Sequence, residues 1–253
     1  MSSESPVSIA EAVAAAEIAP YAAAVITVEI DEHLYQLASE VLIDFPNVTM
    51  LKQDVLRNKN HFQPNVLETI HRVVNAAPGR KLKLVANLPY NIATPVISNL
   101  LVIDPVPVSL TVTIQRELAD RIDASPRTKD YSALSVWVQA LCDVEIIREM
   151  SPTVFWPRPK VHSAIMQIVP NPEKRAKIAD LDFFHTFVRS MFFHRRKLLR
   201  NELLSAYKGQ WEKPDVDALM AAMNLGHETR AEELDVATML KLCNAVRERF
   251  TGK

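Results

Sequence analysis

Apolar residues recur along the first two thirds of the chain in two alternating rhythms. Short apolar runs predict strands over 25–30, 48–51, 82–86, 106–114, 144–150 and 161–169. Between them, three- and four-residue spacing predicts helices. The helix over 32–43 carries Leu34, Leu37, Ala38, Val41 and Leu42 on one face, and further helices follow over 64–77, 95–102, 115–122 and 131–141. Pro78-Gly79 closes the second of these. Ser8-Ile9-Ala10-Glu11 has the form of a capping box opening an Ala-rich helix to about Ala24. Strands interleaved with helices predict an α/β fold with a doubly wound, mostly parallel sheet. After Pro170-Asn171-Pro172 the strand pattern stops, and only helices are predicted, over 181–193, 197–206, 216–223 and 236–249. The expected division is an α/β domain over 1–172 and a small all-helical domain over 173–253.

One strand exit carries unusual chemistry. The run Leu82-Lys83-Leu84-Val85-Ala86 leads directly into Asn87-Leu88-Pro89-Tyr90. Pro89 cannot continue a ladder, so these four residues stand at the carboxyl end of the strand, where open α/β sheets place their ligands. An amide, a rigid turn and an aromatic face together suit the holding of a planar base, gripped by its amino edge and stacked on its ring. The exocyclic amine of adenine is a poor nucleophile because its lone pair is delocalised into the ring. The Asn87 side-chain carbonyl and a backbone carbonyl of Leu88 or Pro89 can accept from that amine and localise the pair. Tyr90 can stack on the extruded base.

Composition adds little until it is read by position. The net charge of −1 names no partner. Residues 1–149 carry 12 Lys and Arg against 18 Asp and Glu, whereas residues 150–210 carry 11 against 4. A basic segment in an otherwise acidic chain is a candidate anion-binding face. Cys142 and Cys243 match no metal or redox spacing and read as buried thiols, and no metal site is expected. No apolar run is long enough to cross a bilayer, and the first twenty residues lack the positive start of a secretory signal. The expected location is the cytoplasm.

Asn87-Leu88-Pro89-Tyr90 followed by Asn91-Ile92-Ala93-Thr94-Pro95 closely resembles the signature of the ribosomal-RNA adenine dimethyltransferases, and the all-helical tail with its Arg-Arg-Lys run favours resemblance to the small-subunit type (KsgA type) over the related large-subunit antibiotic-resistance methylases. Phe155-Trp156-Pro157-Arg158-Pro159-Lys160-Val161-His162-Ser163-Ala164 is a second match. A third is Met191-Phe192-Phe193-His194-Arg195-Arg196-Lys197-Leu198-Leu199-Arg200-Asn201-Glu202-Leu203, and Arg230-Ala231-Glu232-Glu233-Leu234 a fourth. The resemblance runs from about residue 24 to the C-terminus. It implies a Rossmann-like class I methyltransferase sheet followed by a helical RNA-binding domain. It implies S-adenosyl-L-methionine as cofactor, with Glu29 on the ribose, Asp54 on the cofactor's adenine and Asn87 beside it. The implied catalytic set is Asn87, Leu88, Pro89, Tyr90 and Phe155, with Tyr90 and Phe155 on opposite faces of the target base. Arg158, Lys160, Arg195, Arg196, Lys197 and Arg200 are the implied RNA contacts. The implied reaction dimethylates two adjacent adenosines of small-subunit (16S) ribosomal RNA within a precursor subunit, by a protein expected to be a monomer.

The sequence departs from that pattern in one place. Its glycines are Gly79, Gly209, Gly226 and Gly252, and none precedes Glu29. The resemblance implies a first strand and a Gly-rich turn upstream of the strand ending in Glu29, where the backbone passes under the methionine part of the cofactor. The expectation is a sheet lacking its first strand. A start codon upstream and a natural truncation both stay open. A non-catalytic RNA-binding assembly factor and an inactive truncated product stand as alternatives to the enzyme.

Overall fold

The structure is a computed structural model, and it describes residues 8–195 and 197–251, the side chains of 8–12, 250 and 251 excepted. The capping box expected on Ser8 and Glu11 therefore lies outside the described side chains. The chain divides into two compact units, residues 1–116 with 146–169, and residues 117–145 with 170–253.

The first unit opens with α1 (Ser8–Ile18) and a tight 3-10 turn, Ala19–Tyr21. The helix stops before the expected Ala24 because Pro20 has no N–H to continue it. Asn47 Nδ2 donates to the Ala19 and Ala22 carbonyls at 2.8 and 3.0 Å, tying this turn to the approach of the second strand. β1 (Val25–Glu29) runs parallel to β2 (Val48–Lys52), with Glu29 opposite Lys52. Between them lies α2 (Glu32–Val41), capped by Asp31, whose Oδ1 accepts from the N–H groups of His33 and Leu34. Ala15, Ala38 and Leu42 form a small core with Val25, Phe45, Val48 and Met50 around it. A short hairpin follows, β3 (Leu56–Asn58) and β4 (His61–Phe62), then α3 (Pro64–Val74).

A second sheet has the order β5-β6-β8-β7, from β5 (Lys83–Asn87), β6 (Ser109–Gln115), β7 (Cys142–Met150) and β8 (Ser163–Pro170). β5 and β6 are parallel, β6 and β8 antiparallel, and α4 (Ala93–Leu100) follows β5. Leu110, Val112 and Ile114 alternate with polar neighbours along β6, and Ala164, Met166 and Ile168 do the same along β8. All six are fully buried. Among the described residues no strand joins β1–β2 to β5, so the sheet is in two pieces. β5 is the edge strand of its piece, and Val85 at its middle is 55% exposed.

The second unit is helical: α5 (Arg116–Asp123, from residue 117), α6 (Ala133–Leu141), α7 (Pro172–Arg175), α8 (Leu181–Met191), α9 (Leu199–Ala206), α10 (Lys213–Ala222) and α11 (Val236–Thr251). The sequence pattern ends the α/β part at 172 and keeps 117–145 inside it, whereas the contacts group 117–145 with the later helices. The reason is packing. Trp137 of α6 lies 6.0 Å from Phe184 of α8 between ring centroids, and the Tyr131 hydroxyl donates to the Leu234 carbonyl at 2.8 Å. Burial raises the Tyr131 hydroxyl well above its ordinary pKa, consistent with a permanent donor. Cys142 and Cys243 are free, buried thiols, each pushed up to about 12 chiefly by burial.

Candidate active site

The registers bring one group of expected residues to a common row. Asn87 ends β5 opposite Thr113 of β6, Thr113 faces Ile165 of β8, and Gln115 faces Ser163. The ladder extends one residue further, since the Leu88 N–H donates to the Thr113 carbonyl at 3.0 Å. Pro89 then ends it, having no N–H of its own. The Pro89 carbonyl accepts the N–H groups of Ile92 and Ala93, both at 3.0 Å, and so starts α4. No hydrogen bond among the described residues ends on the Leu88 carbonyl. Of the two backbone acceptors that the sequence leaves open, Leu88 is the one with capacity to spare.

Tyr90 is fixed across the sheet end: its hydroxyl and that of Ser163 are 3.0 Å apart, while the ring stays partly exposed. Phe155 leaves the 3-10 turn Pro152–Val154, which Ser151 caps, and is half-buried. The next residue, Trp156, is 89% exposed. Arg158 and Lys160 are exposed, and no hydrogen bond or ion pair among the described residues engages either.

A second group gathers at the ends of β1 and β2. The Gln53 N–H donates to the Glu29 carbonyl at 3.0 Å, which holds the two strand exits together. Glu29 Oε1 accepts from the Asp31 N–H at 2.7 Å, and Asp54 Oδ1 from the Leu56 N–H at 2.8 Å. Each carboxylate keeps its other oxygen without a partner among the described residues. Two buried polar atoms on these elements also lack partners: Thr27 Oγ1 and Gln53 Nε2. An unsatisfied buried group costs about 1–3 kcal/mol, so such atoms mark places where a ligand or water belongs. Gln53 is visible in the sequence as a strand-exit residue, but no motif there gives it a role. No hydrogen bond among the described residues joins this group to Asn87.

The expected phosphate contacts of the helical unit divide sharply. Arg195 donates to Glu232 Oε2 at 2.6 Å, to the Thr128 carbonyl at 2.9 Å and to the Lys129 carbonyl. Arg200 is paired with Asp217 and half-buried. Both therefore hold loops and helices together. Lys197 is exposed, with no ion pair or hydrogen bond from its side chain among the described residues, and Arg196 lies outside them. A cavity of about 480 Å³ in the first unit, lined by Arg57, His61, Phe62, His71, Asn99 and Asp104 among others, contains none of the expected residues. Among the described residues no cluster of His, Cys, Asp or Glu is placed to hold a metal ion, and no helix is long and apolar enough to cross a membrane.

Residues 11–246 match the ribosomal RNA adenine dimethylase family. The chain belongs to this family. It is 36% identical to the ribosomal RNA small subunit methyltransferase A of Alkaliphilus metalliredigens (strain QYMF), over 92% of this chain and 77% of that protein. It is 35% identical to the protein of the same name from Lactococcus lactis subsp. lactis (strain IL1403), over 89% and 74%. A dimethyladenosine transferase from Plasmodium falciparum superposes with a TM-score of 0.73 at 21% identity, covering 93% of this chain and 86% of that one. The 23S rRNA methyltransferase ErmE superposes with a TM-score of 0.56 at 21% identity, covering 93% and 97%. The fold is thus that of the adenine dimethylases, an α/β methyltransferase sheet with a helical C-terminal region.

Proposed function

We propose that this adenine dimethylase transfers methyl groups from S-adenosyl-L-methionine to the exocyclic amines of two adjacent adenosines in small-subunit ribosomal RNA. The observation that carries this reading is the exit of β5. There Asn87, held in the ladder, is followed by a backbone carbonyl with a free lone pair and by an aromatic ring pinned through its hydroxyl. The Asn87 side-chain oxygen and the Leu88 carbonyl accept the two amine hydrogens of the base. This turns the nitrogen lone pair out of conjugation and toward the methyl donor. The nitrogen gains the methyl as the carbon–sulfur bond of the sulfonium breaks, and it then gives up one proton; in the second transfer a single N–H remains for these acceptors to hold. Tyr90 and Phe155 sandwich the base, and water is excluded by the stack. Positioning supplies most of the rate, because the reaction needs neither a metal nor a covalent enzyme intermediate.

The residues at the ends of β1 and β2 fit the adenosine half of the cofactor. Glu29 has a free oxygen for ribose hydroxyls, Asp54 one for the adenine amine, and the orphaned Gln53 amide is a donor for a ring nitrogen or hydroxyl. Among the described residues no glycine forms a cradle for the methionine half. A Cβ at Gly79 or Gly209 would meet nothing within 4 Å, and one at Gly226 only a threonine side chain of the same loop. When bound, the cofactor supplies an electrophilic methyl group.

The test is incubation of the purified chain with labelled S-adenosyl-L-methionine and small ribosomal subunits that lack these methyl groups. The expected result is label in dimethyladenosine at two neighbouring positions. Firm binding to the subunit without any incorporation would overturn the reading in favour of an assembly factor.

A further inference from the structure

A groove of about 380 Å³ lies between α8 and α9, wholly inside the helical unit. Thr186, Arg189, Ser190 and Phe193 line it from α8 and the turn after it, and Glu202 and Ser205 from α9. Phe193 is 78% exposed, so one face of its ring is open to solvent. The ring is nevertheless held in place. His194 packs edge-on against it, with centroids 4.7 Å apart and planes at 87°. His194 Nδ1 lies 3.3 Å from Oε1 of Glu202, a residue 2% exposed, and that oxygen makes no hydrogen bond among the described residues. The Phe193 N–H donates to the Ser190 carbonyl, and the Lys197 N–H to the His194 carbonyl, closing the turn from both sides. Arg189 is exposed, and no hydrogen bond or ion pair among the described residues engages it.

An aromatic face, an uncommitted guanidinium, the Thr186 and Ser205 hydroxyls, and Ser190 Oγ as an acceptor (its proton goes to the Thr186 carbonyl at 2.9 Å) have a common complement. A planar base stacks on the ring, its phosphate pairs with the cation, and ribose hydroxyls meet the serines and threonine. An apolar peptide side chain would gain the ring but would bring nothing for the charged and hydroxyl lining. We propose that this groove binds one unpaired nucleotide of the substrate RNA, with the base on Phe193 and the phosphate on Arg189. The proposal rests on the reading that RNA is the substrate. It adds a second single-strand contact, separate from the residues that hold the target adenosine. His194 acts as a positioning residue, packing against the ring.

The test measures binding of the full chain to a short labelled single-stranded oligoribonucleotide and to a labelled RNA duplex of equal length. Phe193→Ala should weaken single-strand binding about five- to a hundredfold, the span expected for one lost base stack, and leave duplex binding unchanged. Phe193→Leu, which keeps bulk and removes the ring, should do the same, and Phe193→Trp should restore binding. Unaltered melting of these variants is expected from the exposure of the side chain. Equal affinity in wild type and Phe193→Leu, or an equal loss for both RNAs, overturns the groove. The two readings fail separately. A wild-type chain that methylates nothing yet shows ring-dependent single-strand binding sinks the enzymatic reading alone. Methylation by wild type with no ring dependence sinks the groove alone.

Discussion

The two pieces of sheet in the first unit are built to different depths. β6 and β8 bury every second side chain completely, and they carry Thr113 and Ser163, against which Asn87, Leu88 and Tyr90 are set. β1 and β2 contain no fully buried residue, and the core beneath them rests on three small or medium side chains. The end that carries Asn87, Leu88 and Tyr90 stands on a well-packed sheet. The end that carries Glu29, Gln53 and Asp54 stands on a thin one, with unsatisfied polar atoms inside it. Geometry for a reaction that depends on placement is best kept where the backbone moves least.

The strongest way to break this contrast is to truncate one side chain in each piece of sheet. Met166→Ala in β8 should cost about 2–5 kcal/mol, the range for a large side chain removed from a packed core. Val28→Ala in β1 should cost about 1 kcal/mol. Urea melts of the two variants measure the difference, and comparable losses would show that the sheets are equally packed. Hydrogen exchange sharpens the same point: amides of β1 and β2 should exchange faster than those of β6 and β8, and saturating cofactor should slow the first pair more.

Next in size is Asn87→Ala. It should lower the methylation rate roughly a hundredfold or more, as loss of a preorganised hydrogen bond does, with unchanged affinity for the small subunit. Single-turnover methylation is the measurement. Tyr90→Ala and Phe155→Ala should each weaken capture of the base by about 1–3 kcal/mol. Intact turnover in the double variant would remove the sandwich.

The smallest effect separates two kinds of cation in the helical unit. Lys197→Gln should leave the melting curve within about 0.5 kcal/mol of wild type and reduce the salt slope of RNA binding by about 0.7–0.9. Arg195→Gln should instead lower stability by about 1–2 kcal/mol, through its lost bonds to Glu232 and two carbonyls. A salt slope that changes for Arg195 and not for Lys197 would reverse the assignment.

Much of this arrangement is legible in the sequence. Proline after an apolar run marks the exit at Asn87, and helical spacing marks each helix after residue 180. What escapes is set by distance along the chain. Arg195 and Arg200 read as a basic cluster because their partners, Glu232 and Asp217, lie 37 and 17 residues away. Helices α5 and α6 read as part of the α/β domain because their partners on α8 and near Leu234 come much later. The β3–β4 hairpin, with strands of three and two residues, is too short to show any period. Pro89 and Leu88 could not be ranked as acceptors until the start of α4 showed which carbonyl was already occupied.

The three tryptophans are distributed so that the protein reports on itself. Trp137 and Trp211 are buried in the helical unit, whereas Trp156 stands in water next to Phe155. The long-wavelength edge of the emission should therefore come mainly from Trp156, and iodide should quench that component first. Titration with RNA then yields an optical signal from the loop after Pro152–Val154 without any added dye. Trp156→Phe should abolish the iodide-accessible component and leave the buried one unchanged.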